Sequence, residues 1–234
     1  MYILGFETTG ARGSVALCNL ETREIREKST EEPMGHLRNI TELASKLLRE
    51  RGVGPSDLSG VAVSVGPGSY TGIRIGVSSA RAVAQALNIT CFAVPSLEMF
   101  REKCDGKSGC AVIVNARRGQ VYGAVYGSHG EEILAPGAYM LDDVTSAVDG
   151  IRGSRGNGVH SGTDDSITFY GDGVTAYLKD ERFAHLLRGR KFANERELLP
   201  TAGMVVRHAI GMRERGEECD FRDLQANADR KSVV

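Results

Sequence analysis

Short apolar runs alternate with polar, glycine-marked turns along most of this chain. Tyr2-Ile3-Leu4-Gly5-Phe6 reads as a buried strand and Glu7-Thr8-Thr9-Gly10 as the polar turn after it. Ser14-Val15-Ala16-Leu17-Cys18 returns and 24–28 supplies a third strand, so the chain opens with an antiparallel meander. A helical period follows. After Pro33, residues Leu37, Ile40, Ala44, Leu47 and Leu48 recur at helical spacing and predict a helix over 34–51. Arg49 and Arg51 sit near its negative end, and Gly52 stands just past the last turn. The β-branched Val61, Val63 and Val65 then predict a strand ending at Gly66-Pro67-Gly68. Ser69 or Thr71 can cap a helix over 70–87, because either hydroxyl accepts from the free N–H groups of a first turn. Residues 91–94 return to the sheet before Pro95.

A similar order restarts near Ser96. Residues 97–103 read as helical, 111–114 as a buried strand, 121–126 as a second strand across the turn Asn115-Ala116-Arg117-Arg118-Gly119-Gln120, and 131–134 as a third. This is again a meander, although no residue-level repeat links the halves. Residues 150–166 are polar, glycine-rich and aperiodic, and are expected to form a mobile surface loop. The sheet resumes at 167–170 and stops at Gly171-Asp172-Gly173. A final amphipathic helix is expected over 200–215, with Val205, Val206, Ala209 and Met212 on one side. The pattern predicts two α/β halves, 1–95 and 96–234.

One stripe asks for an explanation of its own. Gly72, Gly76, Ala80 and Ala84 recur every four residues, which puts them on one helix face where another backbone can approach closely. A helical glycine costs roughly 1 kcal/mol against alanine, so two of them on that face need a packing reason. Either a partner or the chain's own core can supply it. The preceding loop has neither Gly-x-Gly-x-x-Gly nor Gly-x-x-x-x-Gly-Lys-Ser/Thr spacing, contains no lysine, and loses an N–H donor at Pro67. A direct phosphate cradle is therefore not expected.

Composition narrows the function classes. The 234 residues allow one large or two small domains with a proper core. A net charge of −1 gives no global basic field for nucleic acid, and 6 % aromatics without Trp argue against a base-stacking platform. No apolar run approaches the ~20 residues of a membrane span, and with a strand read at the first residues no signal peptide is expected. The five cysteines, Cys18, Cys91, Cys104, Cys110 and Cys219, lack Cys-x-x-Cys spacing and read as reduced thiols in a cytoplasm. Cys104 and Cys110 could come near each other, but a functional pair is not expected. The five histidines form no His-x-x-x-His or His-Glu-x-x-His pair, and no Gly-x-Ser-x-Gly elbow occurs. Arg117 and Arg118 fit an anion clamp and a solvated turn equally well.

Four patches together resemble one family, over about residues 1 to 230. Ile3-Leu4-Gly5-Phe6-Glu7-Thr8-Thr9 is similar to a first strand ending in an Asp-Thr-Ser type turn. Gly66-Pro67-Gly68-Ser69-Tyr70-Thr71-Gly72-Ile73-Arg74 resembles a Gly-Pro-Gly-Ser-aromatic-Thr-Gly-x-Arg block. Asn115-Ala116-Arg117-Arg118-Gly119-Gln120-Val121-Tyr122 is similar to an Asp-Ala-Arg-x-Gly-x-Val-Tyr patch, and Gly171-Asp172-Gly173 to a late Gly-Asp-Gly. The family is TsaB (also called YeaZ), the non-catalytic partner of TsaD in bacterial threonylcarbamoyl-adenosine modification of tRNA. The resemblance implies an actin-like ATPase, ribonuclease H-like fold, with two α/β halves whose mixed sheets are flanked by helices.

It further implies a scaffold with no catalytic residue or metal of its own. Such a chain binds a TsaD-like catalytic subunit and, with a TsaE-like ATPase, supports transfer of a threonylcarbamoyl group to the adenosine next to the anticodon. Alone it is expected to form a homodimer, to meet tRNA only indirectly, and to avoid membranes. No cofactor is expected to bind tightly, and ATP or ADP is admitted only at the partner interface. Helices 34–51 and 70–87 are the implied docking surface. Met34, Leu37, Ile40 and Leu47 supply its apolar patch, and Gly72, Gly76 and Ala80 allow close approach. Thr8, Thr9, Arg117 and Arg118 are candidate anion or nucleotide contacts. Glu7 and Asn115 stand where the family commonly has Asp, and both count against nucleotide hydrolysis. The ending Leu224-Gln225-Ala226-Asn227-Ala228-Asp229-Arg230 only loosely resembles the family's Pro-x-Tyr-Leu-Arg. The competing reading is a stand-alone actin-like nucleotide-binding enzyme, either a small-molecule kinase or a glycoprotease-like hydrolase.

Overall fold

The structure is a computed structural model that describes residues 1–30, 36–153 and 167–226. Contacts divide the chain into two units. Among the described residues the first takes Met1–Met99 and 200–226, and the second takes Phe100–Leu199.

In the first unit β1 (Tyr2–Glu7), β2 (Ser14–Asn19) and β3 (Ile25–Ser29) form the antiparallel meander. Helix α1 (His36–Arg51) leads to β4 (Leu58–Gly66), which pairs parallel with β1. Helix α2 (Tyr70–Leu87) leads to β5 (Thr90–Pro95), parallel to β4, so the sheet order is β3-β2-β1-β4-β5. Period-2 alternation sorts the faces. Leu4, Phe6, Val15, Leu17, Val61 and Val63 join Ile40, Ala44, Leu47, Ile73, Val77 and Ala80 in one core under α1 and α2.

The second unit has the same strand order. Strands β6 (Gly109–Asn115), β7 (Gln120–Tyr126) and β8 (Glu132–Met140) are antiparallel neighbours. Helix α3 (Leu141–Gly153) precedes β9 (Ile167–Tyr170), which lies parallel to β6. Helices α4 (Asp172–Leu178) and α5 (Ala184–Leu187) precede the short edge strand β10 (Lys191–Phe192). The sheet reads β10-β9-β6-β7-β8, which is the first sheet's order with each strand in the corresponding place. The two halves thus duplicate a topology that no residue repeat announces, and this is the duplicated mixed-sheet fold the resemblance implies.

The helical reading of 97–103 holds as a 3-10 helix over Glu98–Lys103, and two expectations change. The expected loop over 150–166 loses its first four residues to α3, and the rest of it lies outside the described residues. The last helix, α6 (Ala202–Glu214), joins the first unit and packs against β1 to β5. The reason lies at Gly5: a Cβ there would overlap Val206 Cγ1 and stand 3.3 Å from the Ala202 carbonyl oxygen, so only glycine lets α6 settle on β1. The N-terminus of α6 is held by side chains of the same unit. Ser14 Oγ accepts from Ala202 N at 2.8 Å, Glu27 Oε2 from Gly203 N at 3.1 Å, and Thr201 Oγ1 from Met204 N at 3.4 Å.

Candidate functional site

The glycine block works at the junction of β1, β4 and α2. Gly66 and Gly68 have φ of 110° and 158°, which turn the chain sharply out of β4. Ser69 caps α2 by accepting from Gly72 N at 3.3 Å, and its own N–H donates to the Thr9 carbonyl at 2.9 Å. Thr8 Oγ1 donates to the Gly72 carbonyl at 2.7 Å. A Cβ on Gly72 would strike the Thr8 carbonyl oxygen, and one on Gly76 would strike Thr8 Oγ1 and come 3.3 Å from Val63 Cγ2. Helix α2 therefore starts directly on the turn after β1.

That packing corrects the expected docking residues. The small face of Gly72, Gly76 and Ala80 lies against the unit's own sheet, with Ala80 fully buried. Ile40 and Leu47 are core residues at 3 % and 2 % exposure, so no partner can reach them in the folded chain. Met34 lies outside the described residues, as does the side chain of Leu37. What α2 presents to solvent is the other side. Tyr70, Thr71, Arg74, Ser78, Ala82 and Gln85 are exposed and Ile75 is half-buried. The Arg74 guanidinium lies 5.6 Å from the Tyr70 ring centroid. Beside it α1 exposes Asn39, Thr41, Glu42, Ser45, Lys46 and Arg49.

Thr8 and Thr9 are buried and their hydroxyls are engaged, Thr8 with Gly72 and Thr9 with Glu7 Oε1 at 2.6 Å. They are not free to meet an anion. Glu7 Oε1 also accepts from Thr9 N at 2.5 Å, whereas Glu7 Oε2 is buried with no hydrogen bond of normal geometry. Ser64 Oγ and Ser96 Oγ, at the ends of β4 and β5, pair at 2.7 Å. Burial pushes the Glu7 carboxyl above the usual range, opposed in part by the hydroxyls of Thr9 and Ser64 and the N–H groups of Thr9 and Gly10. A fully buried carboxyl closed in by engaged hydroxyls has no open face to offer the metal of a metal–nucleotide, so these residues do not fit the nucleotide that an actin-like fold suggests.

In the second unit, Arg117, Arg118 and Gly119 take φ of 70°, 55° and 82° in succession. Asn115 Oδ1 accepts from Arg117 N at 2.8 Å, and Gln120 N donates to the Arg117 carbonyl at 2.9 Å, which hold the turn between β6 and β7. Both arginine side chains are exposed and make no ion pair among the described residues. They remain available to an anion. Gly171-Asp172-Gly173 repeats the logic of the first glycine block. A Cβ on Gly171 or Gly173 would press on the Ile113 carbonyl oxygen, at 2.7 Å for Gly173. Asp172 Oδ1 accepts from Asn115 N at 2.9 Å, and burial raises its carboxyl. The sequence showed Asp172 as the centre of the Gly-Asp-Gly patch but gave it no contact of its own; its hold on the Asn115 N–H is what the structure adds. Among the described residues no three His, Cys, Asp or Glu side chains gather as metal ligands. Among the described residues no helix is long and apolar enough to cross a membrane.

Known proteins share this fold. YeaZ from Pseudomonas aeruginosa superposes with a TM-score of 0.69 at 22 % identity, covering 96 % of this chain and 97 % of that one, which shows a common fold. The tRNA threonylcarbamoyladenosine biosynthesis protein TsaB of Bacillus subtilis is 38 % identical over 127 residues, 54 % of this chain and 55 % of its own. The protein of the same name in Escherichia coli is 31 % identical over 144 residues, 58 % of this chain and 62 % of its own. The chain thus spans between 55 % and 62 % of the length of these two curated relatives. A family model described as TsaD, tRNA N6-adenosine threonylcarbamoyltransferase, matches residues 31–197, and the chain belongs to that family.

Proposed function

We propose that this chain is a non-catalytic subunit in tRNA threonylcarbamoyladenosine biosynthesis, which docks a TsaD-like catalytic subunit through the outward faces of α1 and α2. The observation that carries this reading is the exposed stripe Thr71, Arg74, Ser78, Ala82 and Gln85. These residues fall on one face of α2, and all but Arg74 are short or uncharged. With the small glycine face consumed inside the unit, this stripe is where another helix can lie close. The names of the Bacillus and Escherichia relatives support the pathway. In the same reading the free chain pairs with a second copy through this face, a TsaE-like ATPase joins through the complex, and tRNA is held by the partner. ATP or ADP binds only where the partner completes an interface. The buried, closed Glu7 cluster speaks against the stand-alone kinase or hydrolase.

Copurification with the TsaD-like protein of the same organism tests the reading. Ser78→Arg and Ala82→Arg change exposed positions, so folding stability should stay within about 0.5 kcal/mol. Both should weaken partner binding at least tenfold, about 1.4 kcal/mol. Wild-type affinity in both variants sinks the α2 face as the docking surface.

A further inference from the structure

Two of the five thiols lie in near contact in the second unit. The 3-10 turn ends at Lys103, and Cys104 N donates to the Arg101 carbonyl at 3.1 Å. The chain then folds back on itself. Asp105 Oδ1 accepts from Lys107 N at 2.9 Å and from Ser108 N at 2.6 Å. Gly106, at φ 81°, donates its N–H to the Ser128 carbonyl at 2.8 Å. This closed loop delivers the chain to Cys110, the second residue of β6, and sets Cys104 Sγ 3.7 Å from Cys110 Sγ. Cys110 is fully buried, and its thiol donates to the Phe100 carbonyl at 3.3 Å. Cys104 is half-exposed. A disulfide bond is about 2.0 Å long, so closing the gap requires about 1.7 Å of sulfur movement, within reach of a side-chain rotation at the end of a turn.

We propose that Cys104 and Cys110 form a site of reversible oxidation by hydroperoxides, with Cys104 as the attacking thiolate and Cys110 as the resolving thiol. In the first step Cys104 Sγ attacks one peroxide oxygen. The O–O bond breaks, hydroxide leaves and takes up a proton as water, and Cys104 becomes a sulfenic acid. In the second step Cys110 Sγ attacks Cys104 Sγ. The S–O bond breaks, and the leaving hydroxide takes the Cys110 proton as a second water. The sum is two thiols and one hydrogen peroxide giving one disulfide and two waters, with two electrons passing from sulfur to oxygen. An added dithiol reductant reverses it by exchange.

The division of roles rests on exposure and contact. Cys104 is reachable from solvent, and the contact with the Cys110 sulfur is the main cause that holds its thiol below the usual range, against burial and the nearby Glu131. Cys110 is held well above that range by the same contact and by burial, as suits a thiol that waits inside. The other cysteines differ. Cys18 and Cys91 are buried, with Cys91 pushed up to about 12 by burial, and Cys219 is raised by burial with Asp223 and Asp220 nearby. Cys91 and Cys219 face each other across an antiparallel bridge, with N–H to carbonyl distances of 2.8 and 2.9 Å, and are the competing pair.

The test treats the full, reduced chain with a few equivalents of hydrogen peroxide, blocks remaining thiols and maps tryptic peptides. Cleavage at Lys103, Lys107 and Arg117 separates the two cysteines, so a crosslink shows as 104–107 joined to 108–117. That crosslink should be the first disulfide formed and should vanish on reduction. Cys104→Ser should slow peroxide consumption at least tenfold. Cys110→Ala should oxidise Cys104 more slowly, because the lowering contact is lost, yet leave it trapped as a sulfenic acid by dimedone, and Cys219→Ala should change neither wild-type result. A first crosslink between Cys91 and Cys219, or a Cys104 sulfenic acid that persists unresolved in the wild type, overturns the proposal. Mapping of the wild type alone decides between these outcomes if either substitution perturbs folding.

Discussion

Glu7 shows how one buried residue can carry a pH signature for half the molecule. Its carboxyl is fully buried, one oxygen accepts both the Thr9 N–H and the Thr9 hydroxyl, and no lysine or arginine is among the causes acting on it. The folded-state pKa is therefore raised by burial, above an unfolded value of about 4.3. The folded state then binds the proton more tightly than the unfolded one. Stability from this group is fully present below the unfolded pKa and is lost as pH rises through the folded pKa. Glu7→Gln keeps the shape and removes the titration. Wild-type melting temperature should fall relative to the Gln variant from pH 5 towards pH 8, with the two closest at the acid end. Asp172, also raised, sits in both proteins and cancels in the comparison. A wild-type minus variant difference that stays flat with pH would show that Glu7 remains charged in the fold. The turn at Glu7-Thr8-Thr9 was legible in the sequence as polar. Its burial was not, because the residues that cover it belong to a helix 64 positions away.

At the scale of elements, helix α2 and helix α3 each contain glycine, with opposite meanings. Gly72 meets the Thr8 backbone, and a side chain there must displace a carbonyl that cannot rotate aside. Gly150 in α3 has nothing among the described residues within 4 Å of where a Cβ would stand, and an ordinary backbone conformation. Gly72→Ala gains helix propensity yet should destabilise by about 1–3 kcal/mol or more through overpacking. Gly150→Ala gains the same propensity without a clash and should stabilise by roughly 0.5–1 kcal/mol. Denaturant melts of the two variants decide it. A stabilising Gly72→Ala would mean that α2 stands off the sheet and that its small face is open after all. Most strands and helices α1 and α2 form where the hydrophobic periods place them, since periods of 2 and 3.6 are local properties. The four-residue stripe in α2 was equally visible, but its spacing states only that some backbone comes close. Which backbone is a long-range fact. Cys104 and Cys110 lie between these cases: Asp105 and Gly106 mark a local turn, whereas the contact between the sulfurs depends on the fold around β6.

On the scale of the whole molecule, chain order and packing order part company at α6. The sequence places this helix after every element of the second unit, and its apolar side, Val205, Val206, Ala209 and Met212, fits any sheet with an open face. What directs it is the first sheet. Gly5 leaves room for Val206, Ser14 and Glu27 receive its first N–H groups, and Arg81 of α2 donates to the Leu224 carbonyl in the segment that follows. The first unit is thus a sheet with α1 and α2 on one face and α6 on the other, assembled from both ends of the described chain. Removing everything from Pro200 onward should uncover the Ile3, Gly5 and Ala16 face while leaving every element of the second unit in place. Hydrogen exchange should then show β1, β2 and β4 losing protection in the 1–199 fragment, with β6, β7 and β9 still protected. Full protection of the first sheet in that fragment would make α6 an accessory, and loss in both units together would mean that the two fold as one. Adding back a peptide spanning 200–226 separates lost packing from general instability, because only the former is restored by the missing face.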